Sequence, residues 1–294
     1  MRIALLSTSW PANDADPSGH FVRSHARELE QSGHRVTVIT PSPGGAFGWP
    51  GVVARMRQRP HRSVEAARWV NQARRQLRRL DVDRVVAHWA IPCAWPIALG
   101  VDMPVDVVSH GGDVRLLAGL PRIPRLLLTA HLVRRASTWT FASDDLLRQL
   151  LACLDRRTCE HVERIARVRA PPIEIPDVTD AVSGVKSRLG GARVAVSAGR
   201  LVASKRVDRA IAFVADERSF DVLVVVGDGP ERPRLERLAR TRGVNAKFVG
   251  ALGRSEALAW IGAATALLHA SEAEGLSTTV REAEALGVPV VRLA

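Results

Sequence analysis

The sequence predicts an α/β chain of two doubly wound parallel-sheet domains. Three observations carry this. At 294 residues, 46% of them hydrophobic, the chain exceeds the size at which one core usually stops growing. Apolar runs of strand length alternate with amphipathic stretches of helix length from end to end. One stretch near the middle, first stiff and then loose, interrupts that alternation.

The strand-length runs are residues 3–6, 36–39, 84–87, 105–109 and 139–142, then 194–198, 222–226, 247–249 and 266–269. Short runs like these, separated by helices, are what parallel strands covered on both faces require. The helix-length stretches include residues 21–31, 64–80, 233–242 and 279–286. Between 169 and 190, Arg169-Ala170-Pro171-Pro172 and Ile175-Pro176-Asp177 stiffen the chain, and Ser183-Gly184 and Gly190-Gly191 loosen it. This reads as an interdomain linker. The boundary is expected near 177, between Rossmann-like domains of residues 1–176 and 177–294.

The apolar run at 3–6 ends at once in Ser7-Thr8-Ser9, which is a strand and not a leader peptide. No apolar stretch reaches the length of a membrane span. Cys93, Cys153 and Cys159 have no metal-type spacing and read as small hydrophobes in a reducing compartment. The expected location is the cytoplasm. The net charge of +12 is uneven: residues 51–100 carry +7 and the last 44 residues −2. Such a basic patch attracts nucleic acid, anionic membrane surfaces or phosphorylated ligands. Nucleic acid is disfavoured, because Tyr is absent, Phe is scarce and no binding motif is present. Of 42 basic residues only Lys186, Lys205 and Lys247 are lysines.

Ligands of open α/β sheets bind beyond the carboxyl ends of the strands. Gly19, in Ser18-Gly19-His20, stands at a helix entry, where backbone N–H groups can approach an anion or merely form a turn. His110-Gly111-Gly112-Asp113 follows the run at 105–109 and projects an imidazole from a strand end, where it serves a ligand or is a structural histidine. Gly199-Arg200-Leu201 follows 194–198, with Lys205 at a helix start. Two cations there suit a diphosphate, or else form a surface pair. Gly227, in Gly227-Asp228-Gly229, makes a tight turn. Glu274, Gly275, Leu276 and Ser277 precede a helix that contains Glu282. Its unpaired N–H groups suit phosphate, and the two carboxylates suit sugar hydroxyls. An ordinary acidic first turn accounts for the same spacing. Asp81-Val82-Asp83 resembles a metal-carrying pair but precedes its strand, away from the ligand edge.

Several of these segments together resemble the retaining GT-B glycosyltransferases of the family 4 type. SEAEGLSTTVREAEALGVPVV at 271–291 is similar to that family's Glu-x7-Glu signature and its continuation. GRLVASK at 199–205 is similar to its diphosphate site, and VVVGDGPERPRLERLA to its central strand–turn–helix. Ser18-Gly19, His88-Trp89-Ala90-Ile91-Pro92 and SHGGDV at 109–114 resemble its front-half loops.

The resemblance implies two domains facing across a cleft and sugar transfer from a nucleotide diphosphate with retained anomeric configuration. It implies no metal or other cofactor; the co-substrate would be UDP- or GDP-linked. Arg200 and Lys205 would hold the diphosphate, Glu282 the ribose, Glu274 the donor sugar, and Gly19 would admit an amide to the phosphate. His110 would sit near the reactive carbon, accepting a hydrogen bond from a sugar hydroxyl. Relatives continue past the equivalent of Val291, so the second domain is expected to be incomplete. A catalytically impaired nucleotide-sugar binder and a nucleotide-sugar epimerase remain open as alternatives. The acceptor is expected to be a glycan, a lipid-linked molecule or a small molecule. In the basic segment 55–79, Val64, Ala67, Val70, Leu77 and Leu80 form a helical stripe. Trp69 beside its arginines is expected to rest in the headgroup layer of an anionic membrane, the alternative being a helix with a solvated face packed on the N-terminal sheet.

Overall fold

The computed structural model describes residues 1–13, 16, 18–43, 45–47, 52, 55–56, 59–271 and 276–293. The chain divides into two compact units, one made of Met1–Ala12 with Ser18–Pro172, the other chiefly of Ile173–Ala294.

The first unit runs β1 (Arg2–Leu6), α1 (His20–Gln31), β2 (Arg35–Ile39), α2 (Arg62–Arg79) and β3 (Arg84–His88). Irregular helical turns at Ala90–Ile97 and Ala98–Gly100 follow. Then come β4 (Val105–Ser109), α3 (Gly112–Ala118), α4 (Arg122–Arg135), β5 (Ala136–Phe141), α5 (Asp144–Leu151), α6 (Arg156–Ile165) and β6 (Ala166–Val168). The strands form one parallel sheet in the order β2-β1-β3-β4-β5-β6. Alternate residues of β1 enter different cores. Ala4 and Leu6 join a large cluster with Ala87, Val107 and Trp139, and Ile3 packs with Val86 and Val108. That two-sided burial is why the strand reads as a continuous apolar run. Toward the amino ends the second face turns polar. Arg84 Nη1 binds Asp106 at 2.7 Å, and Thr138 Oγ1 donates to Asp106 Oδ1 at 2.8 Å.

The second unit runs α7 (Thr179–Leu189), β7 (Val194–Ala198), a short turn Ala203–Lys205, α8 (Val207–Glu217), β8 (Val222–Val226) and α9 (Arg232–Thr241). It continues with β9 (Ala246–Gly250), α10 (Arg254–Gly262), β10 (Ala266–His269), α11 (Thr278–Ala285) and β11 (Val290–Arg292). Its sheet is parallel, in the order β11-β10-β7-β8-β9. Ala195, Leu223 and Val225 pack on one face with Ile211 and Leu235, and Val194, Val196 and Val224 on the other with Ile261 and Val280. The second unit is the smaller, with five strands against six.

Four expectations need correction. β5 starts at Ala136, ahead of the expected 139, because Ala136 pairs with Val105 before a register shift. β6 and β11 were not expected as strands; each has three residues and lies at a sheet edge. The loose part of the linker is helix α7, whose Val185 is buried and whose Leu189 packs with the second unit's core. Gly184 sits inside that helix. Finally, α2 buries Ala66, Trp69, Ala73 and Leu77, and Val64 is 50% exposed. Trp69 is only 9% exposed and meets Phe47 edge-on at 4.8 Å between centroids, so it does not reach a headgroup layer. The indole carries the largest apolar area on the helix, and its burial sets the helix rotation. Residues 57 and 58 of the basic segment lie outside the described residues.

Among the described residues, no helix is long and apolar enough to cross a membrane. Asp81 and Asp83 both bind Arg2 at the amino ends of β1 and β3, Asp83 Oδ1 at 2.9 Å from Arg2 Nη2.

Candidate functional site

Each sheet reverses its strand order at one point, and ligands of open α/β sheets bind beyond the carboxyl ends of the strands there. In the first unit the point falls between β1 and β3. Gly19 caps α1 just beyond it with φ 70°, and a Cβ there would stand 2.9 Å from the carbonyl oxygen of Ser9. Only glycine fits a conformation that is both left-handed and this close to another backbone. Two residues on, Phe21 places its ring 4.6 Å from the centroid of His110.

His110 follows β4 and is held from below by Asp113, which is 3% exposed. Asp113 Oδ2 accepts from Ser109 Oγ at 2.6 Å and from the Ala90 amide at 2.7 Å. Its Oδ1 accepts from the amides of His110 and Gly111, each at 3.2 Å. Ser109 Oγ also accepts from Trp139 Nε1 at 2.9 Å. One buried carboxylate thus ties the loop after β3 to the loop after β4. Trp89, whose φ of 84° is unusual for a bulky residue, packs its ring 4.8 Å from that of His110. His110 Nε2 lies 2.8 Å from Nδ1 of the fully buried His88. Burial, then the nearby His25, pushes the His110 pKa down to about 3.

In the second unit the reversal falls between β7 and β10. Gly199 and the exposed Arg200 lead out of β7, Leu201 anchors the loop at 1% exposure, and Lys205 ends the turn before α8. The Lys205 side chain lies back over Gly199, where a Cβ would be 4.0 Å from its Nζ. The loop after β10 meets the same turn, Ser271 Oγ donating to the Ser204 carbonyl at 3.3 Å. His269, ending β10, has its pKa lowered by burial and by the charge of Lys205. Lys205 therefore stands where both loops of the switch point converge. Gly227 serves this loop through its backbone: a Cβ on it would fall 1.9 Å from the Gly199 carbonyl oxygen.

Ser277 caps α11, its hydroxyl accepting from the Val280 amide at 3.5 Å, and Leu276 beside it is 36% exposed. Glu282 lies in the second turn, buried, with its carboxylate against Arg254. Burial raises its pKa, and Arg254 opposes the rise. Glu274 and Gly275 lie outside the described residues.

The structure thus brings Arg200, Lys205 and Gly227 to one strand edge, and Gly19 and His110 to another, each within its own unit. It sets Glu282 in an ion pair that the sequence did not announce. His25, His88, Asp113 and Arg254 were given no role from sequence. His88 and Asp113 stand inside segments quoted for the resemblance, whereas a single Arg at a helix start carries no signal.

Comparison with known proteins agrees with this architecture. In the solved structures, the chain is similar to Anabaena HepE in complex with UDP (TM-score 0.67, 18% identity, 99% of this chain and 80% of that chain). It is also similar to the sucrose-phosphate synthase of Thermosynechococcus elongatus (TM-score 0.70, 19% identity, the same coverages). Both likenesses show the GT-B fold. The Bacillus subtilis (strain 168) protein TuaC, named as a teichuronic acid biosynthesis glycosyltransferase, is 22% identical over 99% of this chain and 80% of its own length. Residues 183–293 match the model of glycosyl transferases group 1. Residues 18–165, half of the chain, match that of glycosyltransferase family 4, and the chain belongs to that family.

Proposed function

We propose that this glycosyltransferase moves a sugar from a nucleotide diphosphate sugar to an acceptor, with retention of anomeric configuration and without a metal. The observation that carries the reading is the position of Lys205, over Gly199 and beside the end of β10, at the switch point of the second sheet. Arg200 and Lys205 hold the diphosphate and stabilise the charge that grows on it as the glycosidic bond breaks. Preorganised cations supply what a divalent ion supplies elsewhere. Glu282 takes the ribose and Glu274 the donor sugar, with the start of α11 behind Gly275, Leu276 and Ser277. Gly227 keeps the phosphate loop closed. Gly19 admits an amide to the phosphate, and His110 accepts a hydrogen bond from a hydroxyl of the same donor.

HepE structures with UDP and with UDP-glucose support uridine as the base. The TuaC name supports a polysaccharide product, and we place the acceptor among glycans and lipid-linked saccharides. The exposed Arg68, Arg75, Arg78 and Arg79 of α2 suit the anionic inner face of a cytoplasmic membrane. Flotation with anionic vesicles at low and high salt tests this, and no binding at low salt excludes it.

Calorimetry with UDP-, GDP- and ADP-sugars, with released nucleotide measured in the same samples, tests the donor reading. Release of nucleoside diphosphate with a new glycoside of unchanged anomeric configuration, unaffected by EDTA, is expected. An epimerised nucleotide sugar with no release overturns it.

A further inference from the structure

Three histidines of the first unit are joined end to end. His25 Nδ1 lies 3.0 Å from His88 Nε2, and His88 Nδ1 lies 2.8 Å from His110 Nε2. The His88 and His110 rings are within 10° of parallel with centroids 5.0 Å apart and the His25 and His88 rings are 63° apart, and an N–H···N bond tolerates either twist about its axis. His88 has 0% exposure, so both of its nitrogens find their partners in protein. Burial, then the neighbouring rings, pushes its pKa well down, and it is neutral near pH 7.

A neutral imidazole has one donor nitrogen and one acceptor nitrogen. Both nitrogens of His88 are used, so only two arrangements satisfy the chain. Either all three rings carry their proton on Nδ1, or all three carry it on Nε2. In the first, His110 presents Nδ1–H at its outer edge; in the second, it presents a lone pair. The choice at one end fixes the choice at the other.

We propose that His88 and His25 are positioning residues for His110, their hydrogen-bonded chain fixing the tautomer that His110 turns toward the donor sugar. This rests on the assignment of His110 to the donor site made above. The role proposed above for His110, accepting from a sugar hydroxyl, selects the Nε2–H sense. His25 lines a cavity of about 350 Å3 together with Arg84, Asp106, Thr138 and Arg169. Burial lowers the His25 pKa, Glu28 and Asp106 opposing the shift and Arg169 adding to it, so the ring is neutral near pH 7 like its neighbour. His110 Nε2–H then donates to His88 Nδ1, and His88 Nε2–H donates to His25 Nδ1. His110 Nδ1 is left as the acceptor that a sugar hydroxyl needs.

The test uses the full chain with 15N-labelled histidine. Long-range 1H–15N spectra at pH 7 report which nitrogen of each ring is protonated, and UDP released from UDP-glucose reports the reaction. The wild type is expected to carry its proton on Nε2 in all three rings. His25→Leu deprives His88 Nε2 of its acceptor. An unpaired buried N–H is costly, so the chain reverses and His110 gains Nδ1–H. UDP release is then expected to fall about tenfold, the equivalent of one hydrogen bond. His25→Gln, whose amide can still accept from His88, is expected to keep the wild-type spectrum and rate. Unlike tautomers in the wild type, or an unchanged His110 in a folded His25→Leu, overturn the proposal. If the tautomer reverses while both His25→Leu and His110→Ala release UDP normally, the chain stands and the donor-site assignment of His110 fails.

Discussion

Arg254 and Glu282 form a buried ion pair whose side chains are 9% and 10% exposed, and Arg254 Nη2 also donates to the Glu174 carbonyl at 2.7 Å. One guanidinium thus serves the carboxylate assigned to ribose and the segment that enters the second unit. Arg254→Ala leaves a buried carboxylate without its cation, at a cost of about 3–5 kcal/mol. Urea denaturation of Arg254→Ala and of the double variant Arg254→Met with Glu282→Gln checks it. The double variant is expected to recover most of the loss.

Lys205→Ala is expected to leave the melting temperature within about 1 °C, because Lys205 sits half-buried in a loop and belongs to neither hydrophobic cluster of its unit. Its kcat/KM is expected to fall by about 10²–10³, the effect of removing one preorganised donor to developing charge. Steady-state kinetics beside a thermal melt separate the two. Near-normal turnover excludes Lys205 from the reaction.

Gly227→Ala places a methyl group 1.9 Å from the Gly199 carbonyl oxygen at a φ of 130°. The loop carrying Arg200 and Lys205 must move. We expect a loss of more than about 2 kcal/mol of stability. UDP affinity should weaken even though no side chain that touches UDP has changed. Titration calorimetry on the folded fraction measures it.

Asp113→Ala removes the acceptor for Ser109 Oγ and three amides. A loss of about 3 kcal/mol or more is expected, since several buried donors are left unpaired at once. The His110 signals in the labelled protein should shift with it. A normal His110 spectrum would mean that β4 alone orients the ring.

Stability should fall as pH drops from 7 to 5. His88 and His110 have folded pKa values pushed well down, His110 to about 3, against about 6.5 unfolded. Below about 6.5 the unfolded chain therefore binds more protons than the folded one. Each ring lowers stability by up to about 1.4 kcal/mol per pH unit through that window. The urea midpoint measured at half-unit steps checks this; a flat profile means that the folded rings take up protons freely.

Much of the fold was legible because its signal is local. The strand runs 105–109, 194–198, 222–226 and 266–269 coincide with β4, β7, β8 and β10, the last three apolar because they are covered on both faces. β6 and β11 were not legible. Three-residue edge strands owe their conformation to the neighbouring strand and little to their own side chains. Helix α7 was hidden by Gly184, whose low propensity is outweighed by the packing of Val185 and Leu189.

The sequence by itself determined that strands and helices alternate in two sets, that the loops at their ends carry Gly19, His110, Arg200 and Lys205 and one following helix Glu282, and to which family the motifs point. Spacing along the chain suffices for this, because strand ends and helix starts are local. Only the tertiary structure decided that Glu282 belongs to Arg254, 28 positions away, that Asp113 knots two loops together, and that Trp69 turns inward. It alone joined His25 to His88 and His110 across 63 and 22 positions. Such pairings depend on which strand neighbours which, and strand order leaves no trace in the periodicity of either strand.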